Sequence, residues 1–130
     1  VFAGAQYTAT DGEVKFVKYF PTGTTTQASG DVTAYIYDDP NIVYAVQSAG
    51  SADFADIGNN ADIVAGSGDT LSGQSRFEVS GTTGTGTANL RIHRKFESPD
   101  NSYGTNGILE VSIYEHELNQ HIDADGTPGV

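Results

Sequence analysis

The chain has 130 residues, with 17 acidic and 6 basic side chains and a formal net charge of −11. This balance argues against nucleic-acid binding and against anionic membranes, since both require a basic field. The absence of cysteine excludes disulfides, thiolate nucleophiles and cysteine-based zinc sites, and no apolar run reaches the roughly 18 residues that suggest a membrane span.

The N-terminal segment predicts a β-hairpin. Residues 1–8 and 13–20 are rich in Val, Phe, Tyr and Thr, which favour strands. Between them lies Asp11-Gly12, a dipeptide typical of tight hairpin turns because glycine adopts positive φ without steric cost. The chain begins at Val1 rather than Met, which indicates processing or a fragment of a longer protein.

A second hairpin is predicted over residues 31–47. Residues 31–37 alternate, with Val32, Ala34 and Ile36 on one face. The segment Asp38-Asp39-Pro40-Asn41 has the composition of a turn, and residues 42–47 are the expected return strand.

The second half of the chain predicts further short elements. A helical turn is expected near 51–56 and a flexible glycine-rich tip at 81–86. Strands are predicted at 62–65, 75–80, 87–96 and 108–115.

The fold class that follows is all-β, as an antiparallel β-sandwich or barrel of about seven or eight short strands. We expect a single β domain over residues 1–116, because no linker interrupts it, followed by a polar C-terminal tail over 117–130.

Metal ligands are few in the sequence. His93, His116 and His121 share no helical or strand face, so three exposed histidines are expected rather than a zinc site. Asp123 and Asp125 resemble the start of a calcium loop, but the glutamate required at about its twelfth position would fall beyond Val130. We therefore predict no metal site and no cofactor, although Asp38-Asp39 and Asp100-Asn101 could bind calcium if the fold brought them together.

Catalytic motifs are also incomplete. No Gly-x-Ser-x-Gly elbow occurs, and residues 81–86 contain no lysine of a phosphate loop. Carboxylates are numerous enough to lie close together by chance, without the geometry of a glycosidase. The chain is therefore predicted not to be an enzyme.

The predicted strand 87–96 carries a local basic patch. Alternation places Leu90, Ile92 and Phe96 towards the core, and Arg91, His93 and Lys95 outwards. Two interpretations remain open: a contact surface for an acidic partner, or cross-strand pairing with Glu110 or Glu78 inside the sheet.

Several pieces, spread over roughly residues 1–116, together resemble the capsid decoration (cement, head-stabilising) proteins of tailed bacteriophages, of the marine-phage type. The pieces are Val1-Phe2-Ala3-Gly4 with Tyr7, Val17-Lys18-Tyr19-Phe20, Tyr37-Asp38-Asp39-Pro40-Asn41, Val43 with Val46-Gln47, Asp56-Ile57-Gly58, Ala61-Asp62, Gly66-Ser67-Gly68, Gly73-Gln74-Ser75, Leu90-Arg91-Ile92, Pro99-Asp100-Asn101 and Gly104. The resemblance implies a non-enzymatic virion protein on the outer capsid surface, bound to the major capsid protein, with an additional segment before Val1.

A homo-oligomer is expected as well, with a trimer preferred slightly over a dimer, because closed symmetry is the default. The candidate partner contacts are Val1, Phe2, Arg91, His93 and Lys95. The alternatives are a tail- or fibre-associated virion protein and an extracellular carbohydrate-binding or adhesive β-sandwich. The carbohydrate-binding alternative would use a row of aromatic side chains, for which the candidates are Tyr35, Tyr37 and Tyr44.

Overall fold

A computed structural model describes residues 1–20, 23–24, 26–28 and 30–116. Over these residues the chain forms ten strands and one short 3-10 turn, and the predicted all-β class is confirmed. The elements are β1 Phe2–Thr8, β2 Val14–Val17, β3 Val32–Ile36, β4 Tyr44–Gln47, β5 Ser51–Ala52, the 3-10 turn Phe54–Asp56, β6 Asn60–Val64, β7 Glu78–Gly84, β8 Leu90–Lys95, β9 Gly104–Thr105 and β10 Ile108–Ile113.

The strand count exceeds the prediction because β5 and β9 have two residues each, too few to show any alternation. The helical turn expected near 51–56 is present at Phe54–Asp56. None of the helical structure in the described part of the chain is long and apolar enough to cross a membrane. The predicted tail 117–130, with His121, Asp123 and Asp125, lies outside the described residues.

The chain divides into two compact units. The first unit comprises Val1–Asp38 and Gly68–Ser75, and the second comprises Asp39–Ser67 and the chain from Arg76 onward. The single β domain over residues 1–116 stays a prediction.

The first unit contains a three-stranded antiparallel sheet in the order β2-β1-β3. The predicted hairpin is present, since β1 pairs with β2 from Ala5↔Val17 to Thr8↔Val14 and Gly12 has a φ of 86° in the turn. Tyr7 is buried, and its ring meets the edge of Phe20 with a centroid distance of 5.5 Å. The central strand therefore carries the small core of this unit.

The predicted hairpin over residues 31–47 is wrong. Strand β3 pairs with β1, whereas β4 pairs with β10. The turn itself forms, because the Asp39 carboxylate accepts a 2.8 Å hydrogen bond from the Asn41 amide. However, the division between the two units falls next to Asp39, so this turn ends one unit and begins the other.

The second unit contains a five-stranded sheet in the order β4-β10-β8-β6-β7. The sheet curls until its edges meet: Ser48, directly after β4, bridges Val79 of β7, and the Ala49 amide donates to the Val79 carbonyl at 2.8 Å. This unit is therefore barrel-like, and the choice between a sandwich and a barrel for the whole chain stays a prediction. Its core consists of apolar side chains from five of the strands: Ala52, Ala61, Val79, Leu90, Ile92, Leu109 and Val111.

The glycine-rich segment 81–86 is not the predicted flexible tip, because β7 continues to Gly84 and pairs with β6. One of its glycines, Gly81, lies where the barrel closes. A Cβ on Gly81 would lie 3.0 Å from the Cα of Gly50, so the two backbones approach too closely for a side chain.

We expect Gly81→Ala to lower the free energy of unfolding by about 1–3 kcal/mol, the usual range for overpacking, because backbone atoms must move apart. Gly84→Ala is the matched control, since a Cβ there meets nothing within 4 Å. Urea unfolding of both variants measures the difference. Equal stabilities would contradict the close approach of Gly50 and Gly81.

Candidate interaction surface

The predicted basic row on β8 is interrupted by a bulge. Glu110 of β10 pairs with Arg94, and the next residue, Val111, pairs with Ile92, so His93 has no register partner on β10. Beyond the bulge the side chains change face. Lys95 consequently lies opposite the core residue Leu109, and only 19% of its side chain is exposed.

The three predicted contact residues of this strand have partners within the second unit. The Arg91 guanidinium donates to Asn60 Oδ1 at 3.2 Å, and His93 Nε2 lies 2.7 Å from Ser112 Oγ. Lys95 Nζ donates to the Asn101 carbonyl at 3.2 Å. The row does not form one outward basic face, and its role in partner contact stays a prediction.

Cross-strand pairing, the alternative interpretation of the patch, occurs at the neighbouring position. Arg94 Nε donates to Glu110 Oε2 at 2.7 Å, and this carboxylate raises the pKa of the guanidinium. The Arg94 side chain is 64% exposed, so the pair contributes little to stability. Alternation along the strand could not reveal this pair, because the bulge at His93 changes which side chains share a face.

Two of the three histidines, His93 and His116, lie among the described residues. His93 is exposed as expected, whereas His116 is buried, which corrects its predicted exposure. Within the described ranges, no group of three or more His, Asp or Glu side chains could hold a metal ion.

Two of the segments that resemble capsid decoration proteins, Asp56-Ile57-Gly58 and Pro99-Asp100-Asn101, contain side chains that form hydrogen bonds within the second unit. The Asp56 carboxylate accepts a hydrogen bond from the Asp53 amide, which completes the capping box of the 3-10 turn. It also accepts a hydrogen bond from Thr83 Oγ1 on β7 at 2.7 Å. Asn101 joins the end of β8 to the start of β10, by donating to the Phe96 and Ile108 carbonyls and accepting from the Ile108 amide. These hydrogen bonds tie loop residues to the strands of the second unit.

The first unit exposes apolar side chains at the Val1 end of its sheet. Phe2 pairs with Ile36, and the Tyr37 amide donates to the Val1 carbonyl at 2.7 Å. A bulge between Phe2 and Gly4 turns Phe2 to the same face as Ile36, and both side chains are exposed. We call Val1, Phe2, Ile36 and Tyr37 the apolar end.

The other face of this sheet has a shallow groove of about 290 Å³, here called the Gly4 groove. Its lining residues are Ala3, Gly4, Ala5, Phe16, Val17, Lys18 and Tyr35. Gly4 has a φ of 153°, and a Cβ at this position would lie 2.9 Å from the Val17 carbonyl oxygen. The glycine therefore keeps the floor open between the rings of Phe16 and Tyr35.

A tight turn in the same unit presents an isolated leucine. Leu71 is 98% exposed. The Asp69 carboxylate accepts from the Leu71 amide at 2.9 Å and from Ser72 Oγ at 3.0 Å, and the Gly73 amide donates to the Asp69 carbonyl. Sequence reasoning missed this Leu71 turn, residues 69–74, because one leucine among polar residues has no periodicity.

The aromatic row considered for carbohydrate binding is divided by the fold. Tyr35 and Tyr37 belong to the first unit, whereas Tyr44 belongs to the second and is half-buried. The Tyr35 hydroxyl donates to Gln6 Oε1 at 2.8 Å. The carbohydrate-binding alternative stays a prediction.

Comparison with known proteins adds no assignment: no family model, no curated protein and no solved structure matches the chain.

Proposed function

We propose that this chain is a non-enzymatic virion protein that decorates and stabilises the outer surface of a tailed-phage icosahedral capsid by binding the major capsid protein. The observation that carries the proposal is the order and spacing of the Tyr-Asp-Asp-Pro-Asn, Asp-Ile-Gly and Pro-Asp-Asn pieces in the sequence. The hydrogen bonds of Asp39, Asp56 and Asn101 support it, since they give these pieces a physical role in a stiff β-scaffold.

Two further features agree with such a role. The apolar end leaves large side chains in solvent, where they can be buried against a partner. The net charge of −11 suits an outer position better than an inner one, because packaged nucleic acid repels an acidic lining. A protein that bridges neighbouring capsid subunits needs only modest contacts, because binding at one raises the effective concentration at the next.

We predict that the Phe2→Ser/Ile36→Ser variant binds capsids with at least about tenfold lower occupancy, as expected when two apolar contacts are lost. The matched control is Phe54→Ser/Ile63→Ser, which removes one Phe and one Ile that are also exposed, 73% and 44% against 47% and 63%, but lie in the second unit. Occupancy is measured by adding each purified protein to particles that lack it and imaging them by cryo-EM.

The same experiment separates the competing virion assignments. Density on the outer shell supports decoration. Protein found inside the particle, or only at the tail vertex or on fibres, contradicts it. Equal loss of occupancy in both double variants would show that the apolar end is not the capsid contact.

A further inference from the structure

We infer that copies of this chain bind one another through the first unit, with Leu71 of one copy inserted into the Gly4 groove of another. The inference does not depend on the capsid proposal, because it concerns only contacts between identical chains. Both contact surfaces belong to the same compact unit, so every copy carries one inserting side chain and one groove.

The Leu71 turn is organised before any contact is made. Residues Asp69 and Gln74 bridge its base, and the Asp69 side chain holds the amide of Leu71 itself. The turn also lies close against β2: a Cβ on Gly73 would come within 3.0 Å of the Lys18 Cβ. A leucine held in place this way loses little conformational freedom on binding, which favours its use as an anchor.

The shape of the Gly4 groove, like that of the Leu71 turn, is set before any contact is made. Its floor is backbone, because only glycine fits beneath the Val17 carbonyl at a φ of 153°. One wall is Phe16, 71% exposed, and the other is Tyr35, held by its hydrogen bond to Gln6. Apolar walls and a flat floor suit an aliphatic side chain, and inserting one removes apolar surface from water on both copies.

The charges around the two surfaces are complementary. Lys18 lines the groove, and it makes no ion pair with any described residue. Asp69 lies two residues before Leu71, so insertion of the leucine brings a carboxylate towards this lysine. In a chain of net charge −11, copies repel each other over most of their surfaces. The groove, with its apolar walls and the basic Lys18 beside them, is therefore the place where an acidic turn of a second copy fits.

Each copy donates one anchor and accepts one, so copies join either as a reciprocal dimer or head to tail, as a ring or an open filament. Sedimentation equilibrium over a range of concentrations counts the copies. We expect Leu71→Ser to weaken association roughly 10- to 100-fold and Lys18→Glu to weaken it about two- to fivefold. Phe54→Ser, an exposed apolar side chain of the second unit, should leave association unchanged.

Cross-linking tests which surfaces meet, and the cysteine-free sequence makes it specific. Leu71→Cys and Ala3→Cys proteins are purified separately, mixed and treated with a short bismaleimide. We expect a cross-linked pair containing one copy of each, and none when Leu71→Cys is mixed with Phe54→Cys. Circular dichroism checks that every variant is folded.

Two results would overturn the inference: a chain that remains monomeric at all concentrations, or a Leu71→Ser variant that associates as strongly as the unmodified protein. Neither result bears on the capsid proposal, because a monomer can still decorate a shell. Conversely, absence from the capsid exterior would leave the contact between copies intact.

Discussion

Replacement of Ile92 by alanine is expected to lower the free energy of unfolding by about 2–5 kcal/mol, the range for large-to-small changes in a packed core. Ile92 is completely buried in the barrel-like unit. It lies on β8, opposite Val111 of β10, and its own amide and carbonyl bond to Asn59 and Gly58. Because hydrogen bonds hold the backbone around Ile92 on both sides, we expect the cavity left by the shortened side chain to collapse only partly.

The matched control for this core substitution is Ile63→Ala. Ile63 lies in the same unit, on β6, but its side chain is 44% exposed. Ile63→Ala should lower the free energy of unfolding by well under half as much as Ile92→Ala, since little buried volume is lost. Urea unfolding monitored by tyrosine fluorescence gives both values. Similar losses for the two variants would contradict the placement of the core on the inner side of β8.

Replacement of Asn101 by alanine is expected to cost about 2–4 kcal/mol. Its partly buried side chain makes hydrogen bonds of 2.7, 2.8 and 2.9 Å to the backbone of Phe96 and Ile108. Alanine leaves the Phe96 carbonyl and the Ile108 amide without these partners, and each buried unsatisfied group costs about 1–3 kcal/mol. The Ile108 carbonyl still accepts from the Phe96 amide, and water that reaches the loop satisfies part of the rest.

Asn41→Ala provides the comparison for this polar substitution. Asn41 is exposed, and its side chain bonds only to Asp39 among the described residues. We expect Asn41→Ala to lower the free energy of unfolding by less than about 1 kcal/mol. Hydrogen exchange supplies a second measurement: the Ile108 amide should exchange faster in Asn101→Ala and unchanged in Asn41→Ala. Unaltered protection of Ile108 would show that Asn101 does not join β8 to β10.

Period-two alternation located most of the strands, because it reports which side chains a local backbone can bury. The predictions at 1–8, 31–37 and 108–115 match β1, β3 and β10 closely. Asp11-Gly12 also identified the correct partner for β1, since a short turn allows only one antiparallel neighbour.

Pairing across longer separations could not be obtained in this way. Residues 31–47 contain two strands and a turn, yet β3 and β4 belong to different sheets. A turn of the Asp39 type forms through its own local hydrogen bonds whichever way the chain continues. The partner of β4 depends on the burial of Leu109 and Val111, more than 60 residues away, which no local pattern contains.

The candidate interaction surfaces likewise combine local features, which sequence patterns predict, with long-range features, which they do not. The all-β class, the acidic character and the stiff turns around Asp39, Asp56 and Asn101 follow from the sequence, because they depend on residue type and near neighbours. The folded chain was needed to show that a bulge at His93 turns Lys95 towards Leu109, that Gly50 meets Gly81, and that Leu71 is exposed in the unit that carries the Gly4 groove. Register, closure and exposure arise from contacts between segments distant in sequence, and one extra residue in a strand reverses the face of every side chain that follows.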